Sequence, residues 1–136
     1  MTVSVNTFFH QDTGTASYVV VDASKQYAVV IDSVLDLDMG SGRVSSSIAD
    51  QQLAFITKHK LQLVWILETH AHADHLTSAH YLKQKTQAPV VIGEGILQVQ
   101  DNFSALFSRH SALAKGASGF DCLVKDNQVL TFGESN

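Results

Sequence analysis

The sequence predicts an α/β domain built on a mixed sheet, and three observations carry that reading. The N-terminal part holds short runs rich in β-branched residues, VSVNTFF, ASYVVVD and YAVVID. Two further apolar runs, LQLVWILE and APVVI, are separated from them and from each other by segments with helical spacing. The resulting order, β-β-β-α-β-α-β-α-β-β, is that of a sheet with helices packed on it.

Taken in order, Val3 to Phe8 alternates apolar and polar residues and reads as a strand, followed by a turn at DTGT, Asp12 to Thr15. Ser17–Asp22 and Ala28–Asp32 flank the polar ASKQ and read as an antiparallel hairpin. Ser17 and Tyr18 read as structural. Asp32 to Ser45, with Gly40 and Gly42, reads as a loop. A helix is predicted over Ser47–Lys58, where Ser47 and Asp50 have capping-box-like spacing and Ala49, Leu53 and Ile56 form an apolar stripe. Leu63–Glu68 lies in a near-continuous apolar run of the kind buried on both faces, with Trp65 expected in the core. A helix is predicted over His75–Lys85, a strand over Val90–Ile92 after Pro89, and a helix over Glu94–Phe107. CLVKDNQVLTFGE suggests a final hairpin turning at Asp126-Asn127.

The chain of 136 residues fits one domain, 1–136, with no internal repeat or low-complexity tract. Charged residues make up 16% and the net charge is −4, so there is no basic footprint for nucleic acid. A single cysteine, Cys122, excludes an intrachain disulfide and has no motif around it to mark a catalytic thiol. The first residues lack the basic and apolar regions of a signal peptide, and no apolar run approaches the roughly 20 residues of a membrane span. The expectation is a cytoplasmic protein with no membrane partner. Gly93 and Gly95 stand in no phosphate-loop pattern.

Seven histidines are many for this length, and four of them fall between His70 and His80 in ILETHAHADHLTSAHYLK. His70-Ala71-His72-Ala73-Asp74-His75 has H-x-H-x-D-H spacing. The strand before it delivers these residues at the carboxyl edge of the sheet, where open α/β sheets bind ligands. His70 and His72, two apart on an extended segment, point the same way, while Asp74 and His75 turn towards a neighbouring position. Imidazole and carboxylate suit zinc and non-haem iron, and such a cluster can serve two adjacent metals. The candidate metal ligands are therefore His70, His72, Asp74 and His75. His80 reads as a helix residue with at most a supporting role.

THAHADH resembles the signature of the metallo-β-lactamase superfamily. The alanine before Asp74, the segment VVIGEGILQVQDNF and the start FFHQDTGTASYVVVD look like its persulfide dioxygenase and glyoxalase II-like branch. The resemblance implies the N-terminal αβ half of a four-layer αβ/βα sandwich, a mixed sheet with helices on one face. It maps His70 and His72 onto one metal site and Asp74 with His75 onto a second. In the persulfide dioxygenase reading one Fe(II) is held through His70, Asp74 acts catalytically on bound water or neighbouring ligands, and the substrate is a glutathione persulfide-like thiol derivative oxidised with O2. In the glyoxalase II-like reading two Zn(II) ions support thioester hydrolysis, although Ala73 weighs against it. The acidic balance and Ala73 also weigh against a nuclease. Asp32 ends a strand where the superfamily often carries an Asp that braces the metal loop, a position equally suited to a plain turn.

The family's third metal histidine and bridging aspartate have no match here, which leads to the expectation of a truncated domain with weak or absent metal binding and no turnover. His110 is the remaining histidine that could substitute, and Asp121 and Asp126 read as loop and turn residues. A third reading is a non-enzymatic module that folds by self-association. Apolar residues on both faces of the sheet predict a homodimer or higher oligomer that covers the face carrying Val19 or Val21.

Overall fold

The computed structural model describes residues 2–107 and 119–135. The chain opens with three antiparallel strands, β1 (Ser4–His10), β2 (Thr15–Val21) and β3 (Tyr27–Ile31). Gly14 makes the first turn with φ +69, a left-handed conformation that costs glycine little. The second turn is stitched by the Asp22 carboxylate. It accepts hydrogen bonds from the backbone N–H of Ser24, Gln26 and Tyr27 and from the Ser24 hydroxyl, at 2.6–3.1 Å. Burial alone would raise the Asp22 carboxyl. The bonds from Ser24, Tyr27, Glu134 and Gln26 outweigh it and hold the group well below the usual carboxylate range.

Next come β4 (Val34–Leu37), β5 (Val44–Ser45), α1 (Ser47–Lys58), β6 (Gln62–Glu68), β7 (Leu76–Thr77) and α2 (Ala79–Thr86). β8 (Val90–Gly93), α3 (Ile96–Phe107) and β9 (Cys122–Val124) follow. The main sheet runs β1-β2-β3-β6-β8-β9, with β3, β6, β8 and β9 mutually parallel, and β5-β4-β7 form a small second sheet. The mixed α/β fold expected from the sequence is present.

One face of the sheet packs on α1 and α2. Val19, Val21, Ala28, Val30, Ile66 and Val90 bury there with Ala49, Ile56 and Leu82. Full burial of Ile66 or Leu82 contributes about 1.5–3 kcal/mol each. The face carrying Val19 and Val21, expected to seek a partner, thus lies under the helices of the same chain. The opposite face carries Val20, Val29, Ile31, Trp65 and Leu67. With Gln128, Val129, Leu130 and Phe132 these border an open cavity of about 430 Å³. Trp65 is half-buried on that face, donating from Nε1 to the Thr131 carbonyl at 2.9 Å, so it is not a core residue. A bulge explains the facing. Leu63 pairs with Ala28 and Trp65 with Val29, so Val64 is extra and the alternation slips by one.

Four further expectations need correction. The loop predicted over Asp32 to Ser45 contains β4 and β5, because Asp36 and Leu37 pair with Ser45 and Val44. The helix predicted over His75–Lys85 begins only at Ala79. Leu76 and Thr77 pair instead with Leu35 and Val34, and the Ser78 N–H donates to the Ser33 carbonyl. The final hairpin does not form among the described residues. Asp126-Asn127 does turn, with Asn127 at φ +59, but β9 pairs in parallel with β8. The Ser47–Asp50 capping box is also absent: the Ser46 hydroxyl donates to Asp50, and the Ser47 N–H donates to Asp36 Oδ2 at 2.8 Å.

Beneath the β6–α2 connection runs a buried polar string. Ser78 Oγ donates to Ser33 Oγ, Ser33 Oγ to Gln52 Oε1, and Gln52 Nε2 to Ser17 Oγ, at 2.5, 2.5 and 3.0 Å. It pins the far end of the motif loop to α1 and β2.

Candidate metal centre

The motif loop leaves the carboxyl end of β6 after Glu68 and crosses over β3, where Asp32 stands in the left-handed region at φ +51. The Asp32 carboxylate accepts from Thr69 N at 2.8 Å, Thr69 Oγ1 at 2.7 Å and His72 Nε2 at 3.0 Å. Asp32 therefore braces the loop and is more than a turn residue.

Proton accounting fixes which ring nitrogens are left over. His72 is 5% exposed at its side chain, and its Nε2 lies 3.0 Å from both Asp32 Oδ1 and Glu68 Oε2. Two carboxylates require Nε2 to be the donor, which leaves Nδ1 as the lone pair, 3.9 Å from Asp74 Oδ1. The Thr69 hydroxyl proton goes to Asp32, so the contact of 2.8 Å with His70 has His70 Nδ1–H donating and leaves Nε2 uncommitted. His75 Nδ1 lies 3.3 Å from Asp74 Oδ2, and its Nε2 is buried with no partner. A buried imidazole nitrogen without a partner is a metal-ligand signature once carboxylates hold the other nitrogen.

The rings stack in sequence, His70 on His72 and His72 on His75, each with centroids 4.2 Å apart. Ligand atoms of Asp32, His70 and His72 lie within 4.8 Å of one another, as do those of His72, Asp74 and His75. This donor set, neutral imidazoles with carboxylates, fits zinc or iron. Burial lowers His75, which keeps its ring neutral and able to ligate. The hydrogen bond from its own backbone N–H and the contact with His75 keep Asp74 below the usual range. Burial pushes Glu68 up to about 7, against the pull of the Thr77 hydroxyl and of His72 and with the Asp32 charge adding to the rise.

The structure thus gathers His70, His72, Asp74 and His75 and adds Asp32 and Glu68. His80 is exposed on α2, beside Gln84. His110 lies outside the described residues. Asp121 is a staple, taking the Val90 N–H at 2.8 Å and pairing with Lys83. Asp126 receives the Asn127 amide within the turn. Ser17 belongs to the buried string, and Cys122 is half-buried. Gly93 and Gly95, with Thr69, His70, Ile92, Ile96 and Val99, border a cavity of about 280 Å³ beside the motif. Sequence reasoning missed Glu68, whose spacing of four from His72 is its one local signal, and Thr15, which reaches Asp74 from the β1–β2 turn.

Fold and site together define a class: an α/β domain that gathers imidazoles and carboxylates on an H-x-H-x-D-H loop at the carboxyl end of a parallel strand. The chain belongs to the metallo-beta-lactamase superfamily, whose family model matches residues 11–133. It is 40% identical over 131 residues to a protein of Burkholderia pseudomallei named as a probable metallo-hydrolase, covering 96% of this chain and 45% of that protein. It is 35% identical to "Glyoxylase B2" of Dictyostelium discoideum, covering 95% and 44%. Among solved structures, ETHE1 from Myxococcus xanthus superposes with a TM-score of 0.65 at 26% identity, covering 96% of this chain and 44% of that one. The chain spans less than half the length of these relatives. The resemblance read in the motif is confirmed. No helix among the described residues is long and apolar enough to cross a membrane.

Proposed function

We propose that this chain supplies the first group of ligands of a single-iron centre in an enzyme that oxidises a small thiol persulfide with O2. The observation that carries the metal reading is the set of ring nitrogens left over, His70 Nε2, His72 Nδ1 and the buried His75 Nε2, each on a ring whose other nitrogen is already held. The likeness to ETHE1 and the alanine at position 73 support the persulfide branch.

The metal, when bound, supplies Lewis acidity and a place for the reacting atoms. The chain's own residues do the rest. His70 and His72 would hold the ion, and Asp32 and Glu68 fix the His72 tautomer and ring plane. Asp74 presents a carboxylate that stays ionised near neutral pH and can accept a proton at Oδ1 or Oδ2. The cavity beside His70, with Ile92, Ile96 and Val99 in its wall, receives the carbon part of the thiol and excludes water there.

A second reading, a two-zinc thioester hydrolase, rests on the separate grouping of His72, Asp74 and His75 and on the likeness to "Glyoxylase B2". Titration of the purified chain with Fe(II) and with Zn(II) under anaerobic conditions separates them. One iron bound weakly per chain, lost in His72→Ala, and oxygen uptake with glutathione persulfide by the whole protein are the expected results. Two zincs with thioester hydrolysis would move the assignment to the second reading. Failure of both metals to bind at millimolar concentration would overturn the metal centre itself.

A further inference from the structure

A hydrogen-bonded string outside the ligand set ends on it. Asp36 Oδ1 lies 2.9 Å from His10 Nε2, and His10 Nδ1 lies 2.7 Å from Thr13 Oγ1. Thr13 Oγ1 lies 2.8 Å from Thr15 Oγ1, which in turn lies 3.4 Å from both Asp74 Oδ2 and His75 Nδ1. Each part of the string is anchored. His10 is buried at the end of β1, and Asp36 takes the Ser47 N–H at the start of α1 through its other oxygen. The glycine turn at Gly14 brings Thr13 and Thr15 into contact. Asp74, by contrast, is 58% exposed and stands on an irregular loop, so it needs an external hold to keep one rotamer.

Counting protons shows what the string controls. The links His10–Thr13, Thr13–Thr15 and Thr15–Asp74 each need a proton, and the two hydroxyls supply one apiece. Asp36 takes the proton on His10 Nε2, as the carboxylates do at His72, so Nδ1 of the neutral ring accepts from Thr13, Thr13 accepts from Thr15, and Thr15 Oγ1 turns a lone pair to the His75 Nδ1–H. Only a second proton on His10, at Nδ1, reverses both hydroxyls so that Thr15 donates to Asp74 instead.

We propose that Thr15 is a positioning residue for the Asp74–His75 pair, with His10 and Asp36 as the anchor that sets the direction of its hydroxyl. Its value to function rests on the metal-centre reading, and the ligand whose affinity it sets is a divalent cation. The string itself exists without metal, so it can be tested apart from that reading.

The experiment uses the chain with Thr15→Val, Thr15→Ser and Thr13→Val, and reads two signals. The first is the ¹⁵N shifts of the His10 and His75 rings in the metal-free protein. The second is Zn(II) affinity by competition with a chelating dye. Thr15→Val should move both ring signals while the backbone spectrum elsewhere is kept, and should weaken Zn(II) about tenfold, the lower range for residues that orient metal ligands. Thr15→Ser keeps the hydroxyl and should restore both signals. Thr13→Val cuts the string one link further out, at an exposed position, and should move the His10 and His75 rings in the same sense. It carries the test if Thr15→Val does not fold. Unchanged His75 shifts in both valine variants, or Thr15→Ser behaving like Thr15→Val, would overturn the proposal. Absence of Zn(II) binding by the unaltered chain would overturn the metal centre, and the ring shifts would still decide the positioning claim.

Discussion

Gln52 offers the sharpest test of how the motif loop is held. It sits on the buried face of α1, fully enclosed, between Ser33 and Ser17. Gln52→Leu keeps the size and the helix propensity and removes both hydrogen bonds. Ser17 is left with its bond of 3.3 Å to the Phe8 carbonyl, so its proton keeps a partner. Ser33 loses the acceptor of its hydroxyl proton in a dry site, while still accepting from Ser78. One orphaned buried donor costs about 1–3 kcal/mol, and the lost neutral bonds fall within that range, so the expected destabilisation is about 2 kcal/mol. A domain of this size should lose roughly 4–10 °C in melting temperature. The string can also be removed whole. Gln52→Leu with Ser33→Ala and Ser78→Ala leaves no orphan, and replacing all partners with apolar groups is nearly neutral. The triple variant should therefore be more stable than the single Gln52→Leu variant. Urea denaturation of both measures the two values. A single-variant cost below about 0.5 kcal/mol, or a triple variant whose cost is the sum of its parts, would refute the idea that the string is a closed, mutually satisfied unit.

Other predictions follow from the same accounting. Asp32→Asn removes the charge that takes both Thr69 and His72 and should weaken Zn(II) by about 10–100-fold, read by dye competition; an unchanged affinity would remove Asp32 from the site. Folding holds the Asp22 carboxyl below its unfolded value of roughly 3.9, so its contribution is complete above that pH and is lost as pH falls through the folded value. Asp22→Asn should accordingly flatten the acid side of the stability profile below pH of about 4, and equal slopes in denaturation midpoints would contradict this. Gly133 stands at φ +60 with its missing Cβ directed at Asp22 and Tyr27, so Gly133→Ala should cost more than about 1 kcal/mol by thermal melting, whereas a neutral result would mean that the C-terminal segment does not dock there.

What the sequence revealed and what it hid follow from the range of the forces involved. The strands YVVV and YAVVI and the helix at Ser47–Lys58 are set by side-chain period and turn chemistry within a few residues, and they appear where expected. The candidate ligands are legible because three imidazoles and a carboxylate crowd into six residues directly after a strand. The helix predicted from His75 fails because Leu76-Thr77 has two competing outcomes of similar local merit. Pairing with Leu35 and Val34, distant in the chain, decides between them. That pairing has a chemical consequence. In a helix begun at His75 the loop would close one turn earlier, whereas the extended Leu76-Thr77 lets Thr77 donate its hydroxyl to Glu68, the acid that shares His72 Nε2 with Asp32. Thr15 was hidden for the same reason, since 59 residues separate it from Asp74. The motif names the atoms that can touch a metal. Which nitrogen is left to do so at His72 is decided by Asp32 and Glu68, residues outside the motif that strand pairing brings beside it, while Thr69 and Asp74 hold the other nitrogens of His70 and His75 from next to the motif and within it.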